Sequence, residues 1–141
     1  MIKVLIVDDR EDYLRALCGA LRKDFEIVTA QTLAEAERSF DGTVQVALID
    51  MRLSEDDETN RDGVLFLQWA RARYPGIPIL MMSAYRDFDA AVESLNLGAN
   101  YFLKKPIDLR QLRDLLREFC EVGPSPERTA ALRRELETRA G

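Results

Sequence analysis

Three carboxylates stand where a fold could bring them together. Asp8 and Asp9 follow the apolar run Ile2-Lys3-Val4-Leu5-Ile6-Val7, and Asp50 closes the run Val44-Gln45-Val46-Ala47-Leu48-Ile49. If both runs are parallel strands, side chains at their carboxyl ends share one crevice. Carboxylates gathered in one crevice repel unless a cation sits among them. Magnesium suits such a set, because it takes oxygen ligands and commonly one or two carboxylates. The backbone carbonyl of Arg52, two residues beyond Asp50, completes the protein ligands in this reading. Asp50 is then the candidate nucleophile, since a carboxylate can accept a phosphoryl group as an acyl phosphate. The charged oxygens of that group call for donors and cations. Ser83 ends Ile79-Leu80-Met81-Met82-Ser83 and offers a hydroxyl. Lys105, in Lys105-Pro106 after Tyr101-Phe102-Leu103, offers a compact positive charge.

Each element has a plainer role when taken alone. An Asp-Asp pair after a strand often caps the next helix, which is a role open to Asp9 or Asp12. Asp50 alone is a loop acid, and Lys-Pro alone is a surface turn. The joint occurrence on four different strands carries the chemical reading. The chain has no histidine. That removes serine–histidine and cysteine–histidine catalysis, and any phosphohistidine must belong to a partner. Two cysteines, Cys18 and Cys120, are too few for a disulfide framework and read as buried free thiols.

The elements that must position these residues alternate. Residues 2–7 read as a strand buried on both faces, and 25–29, 44–49, 77–82 and 101–103 as further strands. Helical spacing of apolar residues marks 11–23, 32–40, 62–74, 87–97 and 108–119. Thr32 with Glu35 predicts a capping box. Val64, Leu65, Leu67 and Trp69 are the apolar residues that the third helix offers to the core. Gly98 fits a helix end, and Asp108 an N-cap. Five strand–helix units in strict alternation predict an α/β fold with a parallel sheet and helices on both faces. After the break Val122-Gly123-Pro124-Ser125-Pro126, residues 126–139 predict one more helix, with Ser125 as N-cap and Pro126 at its first position. Its apolar content is thin, so it packs on the domain, pairs with another copy, or leads elsewhere.

With 141 residues, 47% apolar and 32% charged, one soluble globular domain is expected. No apolar run nears the ~20 residues that span a bilayer, and no signal peptide is evident after Met1, so a cytoplasmic protein is expected. The net charge of −5 attracts divalent cations and repels nucleic-acid phosphates, so direct nucleic-acid binding by this chain is not expected.

These stretches together resemble the receiver domain of two-component response regulators. The resemblance is carried by Val4 to Asp9, Ala47 to Leu53, Asp62-Gly63, Ile77 to Ala84 and Gly98 to Pro106. It covers residues 2–120. It implies a flavodoxin-like, doubly wound sheet of order 2-1-3-4-5 with five helices, plus the extra C-terminal helix. Residues 1–122 would be the receiver and 123–141 a linker or additional helix. By resemblance, Asp50 takes a phosphoryl group from a phosphohistidine on a sensor histidine kinase or a histidine phosphotransfer protein. Asp8, Asp9, Asp50 and the Arg52 carbonyl bind Mg2+, while Ser83 and Lys105 contact the phosphoryl group. Such a chain is a phosphorelay switch that catalyses only its own phosphorylation and dephosphorylation. Ser83 and an aromatic on strand five, here Phe102, form the switch. The output and possible homodimer face is helix 4–strand 5–helix 5, with Asp87, Phe88, Glu93, Arg110 and Arg113.

The chain departs from the pattern between Leu53 and Asp62, where Ser54 to Arg61 make a charged loop longer than is usual. That loop is either a solvated insertion or a modifier of partner choice and hydrolysis rate. Arg52 and Tyr85 flank the site and would orient or obstruct water. Two other classes compete. An aspartyl-phosphate hydrolase of haloacid dehalogenase type wants its nucleophile on the first strand with a second aspartate two residues later, where this chain has Arg10. A flavodoxin-like cofactor binder wants a Gly-, Ser- or Thr-rich phosphate loop after strand one, where this chain has Asp8 to Asp12.

Overall fold

The first strand, β1 (Ile2–Val7), has no polar face and needs cover on both sides. It lies between β2 (Phe25–Ala30) and β3 (Val46–Asp50), and β4 (Ile79–Ser83) and β5 (Tyr101–Lys104) follow outward from β3. All pairings are parallel, and the order is β2-β1-β3-β4-β5, as the resemblance implies. The fold is a flavodoxin-like α/β sandwich with six helices: α1 (Glu11–Leu21), α2 (Leu33–Ser39), α3 (Asp62–Arg73), α4 (Phe88–Asn96), α5 (Leu109–Glu121) and α6 (Pro126–Ala140). The chain is described by a computed structural model at residues 1–54, 56–84 and 88–140. Glu55, Tyr85 and Asp87 lie outside the described residues.

Alternation along the strands divides the core in two. Val4, Ile6, Val46, Leu48, Leu80, Met82 and Leu103 meet Leu14, Leu17 and Leu21 of α1 and Leu112, Leu115, Leu116 and Phe119 of α5. Leu5, Val7, Ala47, Ile49, Ile79, Met81 and Phe102 meet α2, α3 and α4 on the other face. In α3 the buried side chains are Val64, Phe66, Leu67 and Ala70, while Leu65 is 49% exposed. The expected inward role of Leu65 is therefore corrected to Phe66. Four consecutive apolar residues hide the helical phase, and the docking of Phe66 against Phe40 and Trp69 decides it. Leu109 likewise stands at the exposed start of α5.

Local caps follow the sequence closely. Glu35 N–H donates to Thr32 Oγ1 at 3.1 Å, and the Glu35 carboxylate accepts from Gln31 N–H at 2.9 Å, one residue before the usual partner. Asp108 Oδ1 accepts from Arg110 and Gln111 N–H. Gly98 adopts φ +110 just after α4, a conformation that side chains disfavour.

At the amino end of the sheet, Arg71 joins two loops. Its guanidinium donates to the carbonyls of Tyr74, Pro75, Ile77 and Gly98 and to the Asn100 Oδ1 atom. Asn100 in turn pairs with both backbone groups of Ile79, the first residue of β4.

The helix α6 packs on the domain. Ser125 Oγ accepts from Arg128 N–H as its cap. Thr129 Oγ1 donates to Asn100 O at 2.8 Å, Arg128 pairs with Glu118 of α5 and lies over Tyr101, and Leu132 and Leu136 join the α3–α4 side of the core. At its far end Arg139 lies over Phe88 of α4. Leu136 is the one residue of α6 that is fully inside. Full burial of a leucine contributes roughly 1.5–3 kcal/mol, so this docking is modest.

Candidate functional site

The parallel sheet delivers the acids as expected. Asp8 and Asp9 follow β1, and Asp50 is the last residue of the adjacent β3. Each offers a carboxylate oxygen, and the three oxygens lie within 4.8 Å of one another. Asp8 is 0% exposed, Asp50 4% and Asp9 half-buried, so repulsion among them is little screened by solvent.

Lys105 faces this cluster. Its backbone N–H donates to Ser83 O at 2.8 Å, which seats the residue beside the end of β4. Its Nζ donates to Asp8 Oδ2 at 2.6 Å and Asp50 Oδ2 at 3.2 Å. Burial pushes the Asp50 carboxyl up to about 7, Lys105 opposes that shift, and the Asp8 charge adds to it. Burial by itself would depress Lys105, but the charges of Asp50 and Asp8 outweigh it and hold the ammonium above its ordinary value. The site is short of positive charge.

Asp8 Oδ1 also accepts from Arg10 N–H at 2.9 Å. The N-cap position of α1 is Arg10, and no side chain caps it, so neither Asp9 nor Asp12 serves there. Asp12 pairs instead with Arg10, which lowers its pKa. Asp8 and Asp9 both offer a carboxylate oxygen to the crevice. The donor set fits a hard divalent cation: carboxylate oxygens only, close together and partly solvated. Arg52 N–H lies 3.5 Å from Asp50 Oδ1, so the Arg52 backbone runs beside the same carboxylate.

Ser83 is buried at the end of β4. Met51 N–H donates to Met82 O at 2.9 Å, which locks the ends of β3 and β4 together. Ser83, Arg52 and Met51 line a cleft of about 310 Å³ whose other wall is the loop residues Glu58 to Arg61. The long loop thus borders the residues around Asp50. Asn60 organises it, since its Oδ1 accepts from both Leu53 N–H at 2.9 Å and Asp62 N–H at 3.0 Å. Arg61 then pairs with Glu93 of α4. Phe102 is buried on the α3–α4 side of the sheet, and Tyr101 points to the opposite side against Phe119.

Sequence reasoning assigned no role to three residues here, although Gly63 belongs to a stretch that carries the resemblance. Gly63 N–H donates to Met51 O, and a Cβ on Gly63 would come within 2.0 Å of the Asp50 carbonyl oxygen. Only glycine lets α3 begin this close to the end of β3. Asn60 is the second. Its signal was a short amide placed just before the helix. Tyr13 is the third, with its ring 4.5 Å from the Lys105 ammonium. Of the expected output-face residues, Arg113 points elsewhere: it donates to Ala20 O and pairs with Asp24, toward α1 and β2.

Comparison with known proteins converges on one group. The model of the response regulator receiver domain matches residues 4–117. The response regulator protein PilR of Pseudomonas aeruginosa is 35% identical over 116 residues, covering 81% of this chain and 25% of that protein. The transcriptional regulatory protein ZraR of Escherichia coli K12 is 32% identical over 117 residues, covering 82% of this chain and 25% of that protein. The chain thus spans about a quarter of the length of these relatives. A CheY-like receiver domain from Methanospirillum hungatei superposes with a TM-score of 0.74 at 27% identity, covering 87% of this chain and 96% of that structure. With the acids, the serine and the lysine on one rim of a 2-1-3-4-5 sheet, the chain belongs to the response regulator receiver domains.

Proposed function

We propose that Asp50 is the phosphoacceptor of this receiver domain and that the donor is a phosphohistidine on a sensor histidine kinase or a histidine phosphotransfer protein. The observation that carries this reading is the meeting of Asp8, Asp9 and Asp50 within 4.8 Å, with the Lys105 ammonium on two of them. In the transfer, an Asp50 carboxylate oxygen forms a bond to phosphorus. The phosphorus–nitrogen bond breaks, and the electron pair leaves with the partner's imidazole. Asp8, Asp9, Asp50 and the Arg52 carbonyl would hold Mg2+. Bound there, the ion would supply the positive charge that keeps Asp50 ionised and neutralises phosphoryl oxygens. Ser83 donates its hydroxyl to a phosphoryl oxygen, and Lys105 exchanges its carboxylate partners for another. The chain acts on no substrate other than its own aspartyl phosphate, and a cytoplasmic site beside such a donor fits this role.

The switch would run through Ser83 and Phe102, whose side chains stand on neighbouring strands β4 and β5. Residues 1–122 form the receiver in this reading, and 123–141 add a linker or extra helix. The Escherichia coli relative is a transcriptional regulatory protein. A gene-regulatory output, carried by a partner or a further part of the chain rather than by direct DNA contact here, is the one we favour. The helix α6 lies along α4, so a homodimer through α4–β5–α5 would meet α6 first. The phosphohydrolase reading loses its support, because the family match is to receivers and Arg10 stands where that chemistry wants its second aspartate.

Intact-mass analysis with acetyl phosphate and magnesium tests the assignment. Wild type should gain one phosphoryl group, and Asp50→Ala or wild type in EDTA should gain none. A gain that survives Asp50→Ala would move the acceptor to another residue.

A further inference from the structure

Lys105 is a long, flexible side chain with a difficult position to keep. Its side chain is 9% exposed, so water has little access to its ammonium. Its hydrogen-bonding partners, Asp8 and Asp50, belong to the same cluster that fits a divalent cation. A cation among those oxygens would compete for them and repel the ammonium. The lysine then needs a partner that is neutral, electron-rich and indifferent to metal binding.

Tyr13 has those properties. It is the third residue of α1, half-buried, and its ring lies under Lys105 Nζ at 4.5 Å from the centroid. The face of an aromatic ring attracts a cation within about 6 Å of its centre. Tyr13 and Ile107, two residues beyond Lys105, pack against the same side of the core. The ring itself is wedged against the α1–α5 side of the core, which fixes its orientation.

We infer that Tyr13 is a positioning residue for phosphoryl transfer, whose ring holds the Lys105 ammonium inside the site while that group passes from the carboxylates to the incoming phosphoryl oxygen. This rests on the phosphoacceptor reading above. The ring touches no reacting atom and acts through Lys105 alone. A leucine at position 13 keeps an apolar side chain against the core and removes the attraction, whereas a phenylalanine keeps both the ring and its packing.

The test uses the full chain with 13C- and 15N-labelled lysine. In wild type and Tyr13→Phe, the Lys105 ε-methylene protons should be shifted upfield of those of Lys3, Lys23 and Lys104 by the ring current. In Tyr13→Leu they should fall back among them. With acetyl phosphate and magnesium, Tyr13→Leu should be phosphorylated about three- to fivefold more slowly, as expected for loss of one cation–ring contact. Its half-saturating acetyl phosphate concentration should stay unchanged, and Tyr13→Phe should keep most of the wild-type rate. Equal rates for the Leu variant and wild type, or Leu and Phe variants slowed alike, would overturn the inference. Lys105 signals that ignore the Leu substitution would do the same. If wild type itself takes up no phosphoryl group, the phosphoacceptor reading fails, and the lysine spectra still report whether the ring holds Lys105.

Discussion

The two ends of the sheet handle buried charge in opposite ways. At the amino end, Arg71 gives its donors to four backbone carbonyls and the Asn100 amide oxygen, all neutral. Burial lowers its pKa somewhat, but the guanidinium keeps its charge. It ties the α3–β4 loop to the α4–β5 loop, and its bonding is complete within the chain. At the carboxyl end, acids outnumber the facing cation: burial raises the Asp50 pKa against the pull of Lys105, and the charges of Asp50 and Asp8 raise that of Lys105 against its own burial. One end uses charge as a fastening. The other holds charge that a further cation would balance. The proposed receiver chemistry sits at the end where charge is unbalanced.

The largest expected effect breaks the fastening. Arg71→Ala should lower unfolding free energy by about 3 kcal/mol in urea melts, since several part-buried carbonyls lose a charged donor together. It should leave phosphorylation of Asp50 intact. Arg71→Lys should recover under half of the loss, because one ammonium cannot serve loops on both sides. Asp50→Asn should do the reverse, abolishing phosphorylation at little cost in stability. Loss of stability in Asp50→Asn matching that of Arg71→Ala would erase the distinction between the ends.

Next in size is the response to magnesium. At a hundred times its dissociation constant, a ligand that binds only the folded state adds about 2.7 kcal/mol. Wild type and Arg71→Ala should both show that gain in melting experiments, and Asp9→Ala should lose most of it. An undiminished gain in Asp9→Ala would place the ion elsewhere. The smallest effect concerns the long loop at the reactive end. The Arg61–Glu93 pair is about half exposed on each side, so Arg61→Ala should cost under about 1 kcal/mol. If it costs as much as Arg71→Ala, the loop is a fastening too.

The sheet and the reactive rim were legible because each depends on local pattern. Apolar runs closed by Asp8-Asp9, Asp50 and Ser83 specify strands and place their last side chains at one end without knowledge of any partner. What stayed hidden depends on distant neighbours. Arg71 looks like an ordinary base in the last turn of a helix, and only the Gly98 carbonyl, 27 residues away, makes it a fastening between two loops. Leu65 and Phe66 exchange roles because an unbroken apolar stretch carries no phase. Tyr13 reads as one more apolar residue of α1 until Lys105 folds over it. The capping residues Thr32, Asp108 and Ser125 were legible, since a cap and its partner lie within one turn. The helix α6 was visible as a helix, but its docking was not, because two leucines do not say which surface they meet.

That docking has a practical outcome for anyone labelling the molecule. The chain leaves α5 near the amino end of the sheet, where Thr129 reaches Asn100, and α6 carries it back until Arg139 lies over Phe88 at the start of α4. A fluorophore placed on residue 140 would sit on the same side as the acidic rim, whereas one on residue 122 would sit at the opposite pole. The pair of labelled proteins would form a ruler across the molecule, with one probe tuned to events at Asp50 and the other serving as its silent reference.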